Sequence, residues 1–519
     1  MSSCPPRLNP VNHESEPYCV SSDNLGFRKT SQPAQHKIDK EASIYFASAI
    51  AAPPPRNPYH NDYFVGRQDE LRGISLKVEQ GLAGHAITNP VIHVWGAPGI
   101  GKSWLLRHVL QKYTPATPPQ ATIAQKTTLA VLVDCAVQHS TLKDLLEVAL
   151  ENFERSLASD NADLSQRETE NHTTPSISHF VATAKALSER FVLLFLFDAV
   201  EKLSSDGFSQ LEREIIAPLA STERIIFIIA SRKELPRWKE FSVRQRLEVW
   251  ELKSFDASTT QEQLARFHLP EGAWREIYRY TCGHPSANQV WSQAWCRGAP
   301  SEEENLVLLE RVEREFFKDT MLERERDVLR TLSAPRKFNV ELTRQLLGAI
   351  IDSEFKELSD GYYLRLFEAL EQTNLVYWSS ELRGYTMSLS VRRILDLRIQ
   401  KGAPQLFQER HQLLQEYYER WAVKNPFDRG ALVLEALYHL ARGLANATSR
   451  TLRTRVEQFL RHQLNTEELT TDDADTFLHL LNADPEFTEA APALPPTLCE
   501  IIQNEAERLL DQVSNKISM

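Results

Sequence analysis

The residues with the most evident chemistry stand eight in a row: Gly96-Ala97-Pro98-Gly99-Ile100-Gly101-Lys102-Ser103. They match G-x-x-x-x-G-K-[ST], a pattern suited to holding a phosphate chain. Glycines let the backbone curl until successive N–H groups point inward. The helix that follows adds the positive end of its dipole. In such a loop Lys102 reaches the β- and γ-phosphates as a mobile cation, and Ser103 offers its hydroxyl to Mg²⁺. The flanks agree with this reading. VIHVW precedes the loop as an apolar strand, and an amphipathic helix follows it, with Trp104 next after Ser103. The alternative, a glycine-rich turn with a chance Lys-Ser, does not account for both flanks.

Other residues fall where a nucleotide site needs them. Residues 191–198 form an apolar run that ends in Asp198. At the C-terminal end of a strand, Asp198 would sit beside Ser103 and hold the Mg²⁺ shell; alone, a terminal aspartate is equally a turn cap. Ala199 follows it, so Glu201 is the nearest acid able to orient a water, or else a solvated acid on the next turn. Residues 224–230 form another apolar run, followed by Ser231-Arg232. Arg232 there would meet a γ-phosphate and tell ATP from ADP, or it takes part in a surface ion pair.

The elements that must position these groups alternate. Strands are expected at 91–95, 129–134, 191–198, 224–230 and 247–252, with helical spacing at 101–113, 141–157, 176–190 and 207–220. That alternation predicts a parallel five-stranded sheet with helices on both faces, an α/β P-loop NTPase domain over 56–255. Near-continuous apolar strands such as FVLLFLF suit a buried centre, and the polar stretch 159–175 reads as a surface insertion. Residues 256–300 read as three short helices at 257–267, 271–281 and 285–298, a helical lid, with Pro285 at a first-turn position. Over 301–400 the order is a helix at 301–333, helices at 340–350 and 362–373, then two short strands around a polar turn at 379–384, which is winged-helix order. Residues 401–519 read as all-α. Residues 1–55 read as a disordered leader, with a short helix at 41–52 and the stiff linker Pro53-Pro54-Pro55. No repeat with a period of 30 to 50 residues is found.

Bulk properties exclude several classes. The chain has 519 residues, a formal net charge of -11, 42% apolar and 25% charged residues. This is ordinary globular composition, and its acidic balance does not suit general binding to DNA or anionic membranes. Six cysteines, without a C-x-x-C pair, give neither a disulfide framework nor a zinc site. No apolar signal segment is present, and the apolar run 191–197 is far short of the ~20 residues that span a bilayer. The expectation is a cytoplasmic protein with no membrane contact.

In order, these pieces resemble the signal-transducing ATPases with numerous domains (STAND), a branch of the AAA+ class that includes NACHT and NB-ARC modules. Phe64-Val65-Gly66-Arg67-Gln68-Asp69-Glu70-Leu71 is similar to the family's F-V-G-R-x-x-E-L motif, which implies contact of Phe64, Val65, Gly66 and Arg67 with adenine and ribose. Residues 197–203, FDAVEKL, resemble its D-G-L-D-E-L form, which puts Glu201 on the second acidic position; Lys202 stands where another acid is usual and argues against efficient hydrolysis. Ile229-Ala230-Ser231-Arg232 looks like the T-S-R sensor. Gly283-His284-Pro285 matches G-x-P, whose proline approaches adenine; the alternative for Pro285 is helix initiation alone. Met387-Ser388-Leu389 stands where NB-ARC proteins carry Met-His-Asp, so direct nucleotide sensing by the winged helix is not expected. Residues 435–439, EALYH, resemble the helical segment that follows it in bacterial members.

The resemblance implies a slowly hydrolysing ATP/ADP switch with Mg²⁺, acting through self-association or a partner protein. Two other readings compete. One is a DNA-binding AAA+ protein like the origin-recognition ATPases, for which the basic cluster Arg392-Arg393, Arg398 and Lys401 speaks. The other is an ATP-binding scaffold without turnover. All three share the loop. Lys102→Ala is expected to weaken Mg-ATP and Mg-ADP binding at least tenfold in a calorimetric titration, roughly the value of one charge-assisted phosphate contact. Unchanged affinity would remove the phosphate site from all three.

Overall fold

The computed structural model describes residues 63–114, 128–136 and 177–508, apart from 233, 236–237, 318–322, 381, 445–446, 465–470, 485, 488–499, 501 and 505–506. The expected leader, the helix at 141–157 and the insertion at 159–175 lie outside the described residues.

Five strands pair in parallel: β1 (Val91–Trp95), β2 (Thr128–Asp134), β3 (Val192–Asp198), β4 (Ile225–Ser231) and β5 (Leu247–Glu251), in the order β2-β3-β4-β1-β5. β1, β3 and β4 are buried at every position. Alternate side chains leave on opposite faces. Phe195, Phe197, Phe227 and Ile229 therefore meet one helical layer, built from α3 (Ile177–Ser188) and the helix that begins as α4 (Ser205–Leu211) and passes through a π-turn at Glu212–Ile216. Ile92, Val94, Leu194, Leu196, Ile226 and Ile228 meet the other layer, α1 (Gln68–Ala83) and α2 (Lys102–Tyr113). Both faces being covered explains why these strands are unbroken apolar runs instead of alternating ones.

Register decides what meets at the sheet's upper edge. Trp95 pairs with Ser231 and Glu251, and Asp134 pairs with Asp198. The C-terminal ends of β1, β2, β3 and β4 thus lie side by side, the edge at which parallel α/β sheets bind ligands.

After the one-turn α5 (Phe241–Arg244) and β5 come three short helices, α6 (Ala257–Ala265), α7 (Ala273–Thr281) and α8 (Pro285–Trp295). The single helix expected over 301–333 is in fact two, α9 (Glu302–Phe316) and α10 (Glu323–Leu332). Their buried stripes explain the break. Leu308, Leu309, Val312 and Phe316 face inward on α9, and Val328, Leu329 and Leu332 do so on α10. On one straight helix, at about 100° per residue, the two stripes would lie roughly 160° apart, and one of them would face water. Next come α11 (Val340–Ile350), α12 (Asp360–Gln372) and an antiparallel hairpin, β6 (Val376–Ser379) and β7 (Gly384–Met387), with Phe338 adding a bridge to Tyr385. Among the described residues, helices follow: α13 (Leu389–Gly402), α14 (Pro404–Lys424), α15 (Arg429–Gly443), α16 (Ser449–Leu464) and α17 (Thr471–Ala483). Among the described residues no helix is long and apolar enough to cross a membrane.

The helical region is pinned by buried charge. Asp396 on α13 is fully buried and meets Arg410 of α14 at 2.9 Å and Arg442 of α15 at 2.5 Å. Burial alone would raise its pKa, but Arg442, His411 and Arg410 together hold it well below the usual carboxylate range. One carboxylate thus ties three helices. Asp396→Ala would leave two buried guanidinium groups without their counter-ion and is expected to cost about 3–5 kcal/mol of stability. A shift of the denaturant midpoint checks this; a change near zero would show that the cluster is not structural.

Candidate nucleotide site

The loop between β1 and α2 curls through three positive-φ glycines, Gly96 (155°), Gly99 (77°) and Gly101 (103°). Gly101 precedes α2 and offers no side chain to cap it, so the N-terminus of that helix, beginning at Lys102, Ser103 and Trp104, adjoins the loop. Trp104 itself is half-buried. Lys102 folds back on the loop, its Nζ donating to the carbonyls of Gly96 at 2.6 Å and Ala97 at 2.9 Å. Burial lowers its pKa to about 8; nearby Glu201 and Asp198 oppose the shift, and Arg232 and Arg67 add to it.

Across the sheet edge, the Ser103 hydroxyl lies near enough to the Asp198 carboxylate to lower its pKa. Burial raises the Asp198 pKa; Ser103 and Lys102 pull it back, and Asp134 on the neighbouring strand pushes it up. Sequence reasoning passed over Asp134. The only signal for it was an aspartate ending the second apolar run, and the β2–β3 register gives that position its meaning.

Glu201 lies in a short 3₁₀ turn (Val200–Lys202) reached through Ala199, which adopts a left-handed φ of 56°. Its side chain is 6% exposed and holds Arg232 twice, by an ion pair to Nε at 3.3 Å and by accepting from the Arg232 backbone N–H at 3.3 Å. The two residues expected to orient water and to meet a γ-phosphate are therefore bound to each other.

The N-terminal motif packs around this loop. Arg67 Nη2 donates to the Ile100 carbonyl at 2.8 Å, and its guanidinium lies 4.8 Å over the Phe255 ring. Phe64 stacks on His108 of α2, ring centres 4.2 Å apart; Val65 is buried, and Gly66 has a φ of 68°. Ala97 and Ile100 are buried, and Pro98 is half-buried.

The helical segment α6–α8 reaches the loop through a residue that the sequence reading did not single out. Pro285 does open α8, but the contact comes from His284, whose Nε2 lies 2.9 Å from the Pro98 carbonyl. Gly283 makes the approach possible. Its φ is 72°, and a Cβ there would lie 1.8 Å from the Phe255 carbonyl oxygen. The hairpin also approaches the site: Tyr377 of β6 meets the Trp95 ring edge-on at 5.1 Å.

The basic cluster after the hairpin does not face solvent as a patch. Arg392 and Arg393 are 2% and 4% exposed and both pair with Glu486, Arg398 pairs with Glu310 and Glu313, and Lys401 pairs with Glu302. These cations hold helices together, and the support they lent to DNA binding is withdrawn.

Residues 63–225 match the AAA ATPase domain family. Over that stretch the chain is similar to an AAA ATPase domain, and its five-stranded parallel sheet with the β1–α2 loop is a P-loop fold. The matched stretch spans the N-terminal motif, the loop and Asp198, and it stops short of Arg232. No curated protein matches the chain in sequence. Among solved structures it is similar to a Walker-type ATPase of Pyrococcus abyssi, at 17% identity and a TM-score of 0.45, covering 66% of this chain and 98% of that one. It is also similar to Cdc6p of Pyrobaculum aerophilum (13%, TM-score 0.36, 68% and 97%) and to the Orc1 protein of Aeropyrum pernix, solved in complex with DNA (14%, 0.36, 68% and 95%). AAA ATPase domains generally bind ATP or ADP with Mg²⁺, and the donor set fits such a ligand: uncapped helix amides, a buried ammonium, and a hydroxyl–carboxylate pair.

Burial lowers the pKa of five of the described histidines, among them His93 to about 3 and His284 and His411 to about 4. Unfolded, each would take a proton near pH 6.5; folded, each refuses it until a lower pH. The unfolded chain therefore binds more protons in this window, so stability is whole above about pH 6.5 and declines as pH falls towards 4. The thermal unfolding midpoint is expected to drop between pH 7 and pH 5, and a flat or rising midpoint would contradict the buried neutral state.

Proposed function

We propose that the chain is an ATP-binding, slowly hydrolysing molecular switch of the STAND type, in which ATP and ADP stabilise different arrangements and so control association with itself or a partner. In this reading residues 56–255 are the ATPase core, 256–300 the lid, 301–400 a winged helix and 401–519 a helical output region. Phe64, Val65, Gly66, Arg67 and Pro285 border the nucleoside. The loop from Gly96 to Trp104 takes the phosphates, and Ser103 and Asp198 hold Mg²⁺.

The Glu201–Arg232 pair carries the proposal. A switch needs contacts that differ between its two ligands. A γ-phosphate would compete with Glu201 for the Arg232 guanidinium, whereas ADP leaves the pair intact. The same tie explains slow turnover, because a carboxylate engaged by a cation and an amide is a poor base for water. When bound, Mg²⁺ neutralises phosphate charge and helps the β–γ bond to break. The chain's own part is to hold the phosphates by Lys102 and the loop amides, to place a water by Glu201, and to sense the γ-phosphate by Arg232. The contacts from His284 and Tyr377 give the lid and the hairpin direct access to any change at the loop.

Light scattering of pure protein in ADP, ATP and a slowly hydrolysed ATP analogue tests this. A larger assembly is expected with the analogue than with ADP. Arg232→Ala should keep ADP affinity within about twofold and weaken the ATP-specific response roughly tenfold, the worth of one charge-assisted hydrogen bond. One unchanging state in all three nucleotides, or equal loss for ADP and ATP, would overturn the switch. Phosphate release absent in the wild type as in Lys102→Ala would leave a scaffold.

A further inference from the structure

The phosphate loop faces a conflict that its own residues do not resolve. Each trans peptide holds its C=O and N–H on opposite sides. An amide turned in towards phosphate therefore sends the preceding carbonyl outward, where burial would be costly without a donor. Lys102 serves the carbonyls of Gly96 and Ala97, and Arg67 serves that of Ile100. The carbonyl of Pro98 is served from outside the domain's loop, by the lid.

Resting on the nucleotide-switch reading, we propose that His284 is a positioning residue that turns the Pro98–Gly99 peptide so that the Gly99 amide faces the phosphate chain, making phosphate affinity depend on a seated lid. Four observations converge on the ring. Its Nδ1 accepts from the Ala287 backbone N–H at 3.3 Å as the N-cap of α8. A neutral imidazole that accepts at Nδ1 carries its proton on Nε2, so the helix cap fixes the tautomer that can donate to Pro98. The ring is 1% exposed and set edge-on to Phe316 at the end of α9, 5.4 Å between centres. Room for it comes from Gly99, where a Cβ would stand 2.8 Å from His284 Cε1. Lys102 must leave its two carbonyls to reach a phosphate, whereas His284 can stay in place through binding. The ring therefore supplies a tie that does not compete with the ligand, and through Phe316 it reports the loop's state to the helices beyond the lid.

The test separates this role from simple helix capping. His284→Asn keeps a good N-cap but is too short to donate to Pro98, whereas His284→Gln restores a donor at longer reach. Hydrogen exchange of the 96–103 amides is measured without nucleotide, and ADP and ATP affinities are measured by calorimetry. The Asn variant is expected to exchange faster through the loop and to bind ADP and ATP alike roughly fivefold more weakly, the size of one neutral hydrogen bond. The Gln variant should recover part of both. Wild-type exchange and affinity in folded His284→Asn would overturn the proposal. Absence of nucleotide binding by the wild type would instead sink the switch reading, and the exchange arm would still decide whether His284 holds the loop. Should the Asn variant fail to fold, nitrogen chemical shifts of labelled histidine in the wild type decide: a neutral ring protonated on Nε2 is expected, and the Nδ1 tautomer at His284 would overturn the assignment.

Discussion

A backbone can grip a phosphate chain only if its inward amides are matched by outward carbonyls that find donors elsewhere. In this protein the donors come from three places far apart in sequence: Lys102 inside the loop, Arg67 in the N-terminal motif and His284 at the start of α8. Each donor is buried, and each had to be carried there by its own element. Arg67 arrives on a left-handed turn just before α1, with φ 61°, and His284 arrives at the N-terminus of α8. The satisfaction of a few carbonyls thus explains why segments about 30 residues before the loop and nearly 190 after it close on one point.

The parallel sheet supplies the second constraint. Because β1 lies between β4 and β5, with β3 next to β4, the strand ends that carry Trp95, Asp198 and Ser231 must emerge together. No side chain there has to be steered far. Asp198 meets Ser103 across the edge, and Glu201 meets Arg232 one short turn further on. The cost is a dense group of like and unlike charges in a dry place. The structure carries it by pairing Glu201 with Arg232 and by leaving Lys102 with a lowered proton affinity.

What could be read from the sequence follows the range of the interactions involved. The loop was legible because its chemistry is written in eight consecutive residues. β1, β3 and β4 were legible because buried parallel strands have no polar face to interrupt them, and their boundaries fell within a residue or so of the expected ones. The break between α9 and α10 was not legible from helix propensity; only the rotation of the buried stripe relative to the helix axis reveals it. Asp134 depends on a strand register, and His284 on the packing of α8 against a loop nearly 190 residues earlier, so neither is encoded locally. The Arg392–Lys401 cluster misled for the same reason. Its partners, Glu302, Glu310 and Glu313 of α9 and Glu486 in a turn beyond α17, lie far away in sequence, and charge counted along the chain could not find them.

On the proposed switch reading, a small change at the loop would become a large one beyond it through the packed interior. Ala97 of the loop belongs to the same continuous core as Leu264 and Trp291 of the lid, Phe316 of α9 and the helices that follow. A close-packed interior does not deform smoothly; it holds one arrangement or exchanges it for another. A ligand shifts such a pair of arrangements only by the difference in its contacts with each. Against the broad Ala97–lid–α9 interface, the contacts able to differ between ATP and ADP are few and charged, Arg232 foremost among them. A single guanidinium released from Glu201 is a modest lever, worth a shift of about tenfold to a hundredfold in population. In the proposed switch, α6–α8 and the helices behind them would have to be finely balanced for the nucleotide to decide between two arrangements. Among the described residues His284 gives the loop a hydrogen bond from the start of α8, a link of modest strength that would suit the proposed switch, in which α6–α8 must also be able to leave.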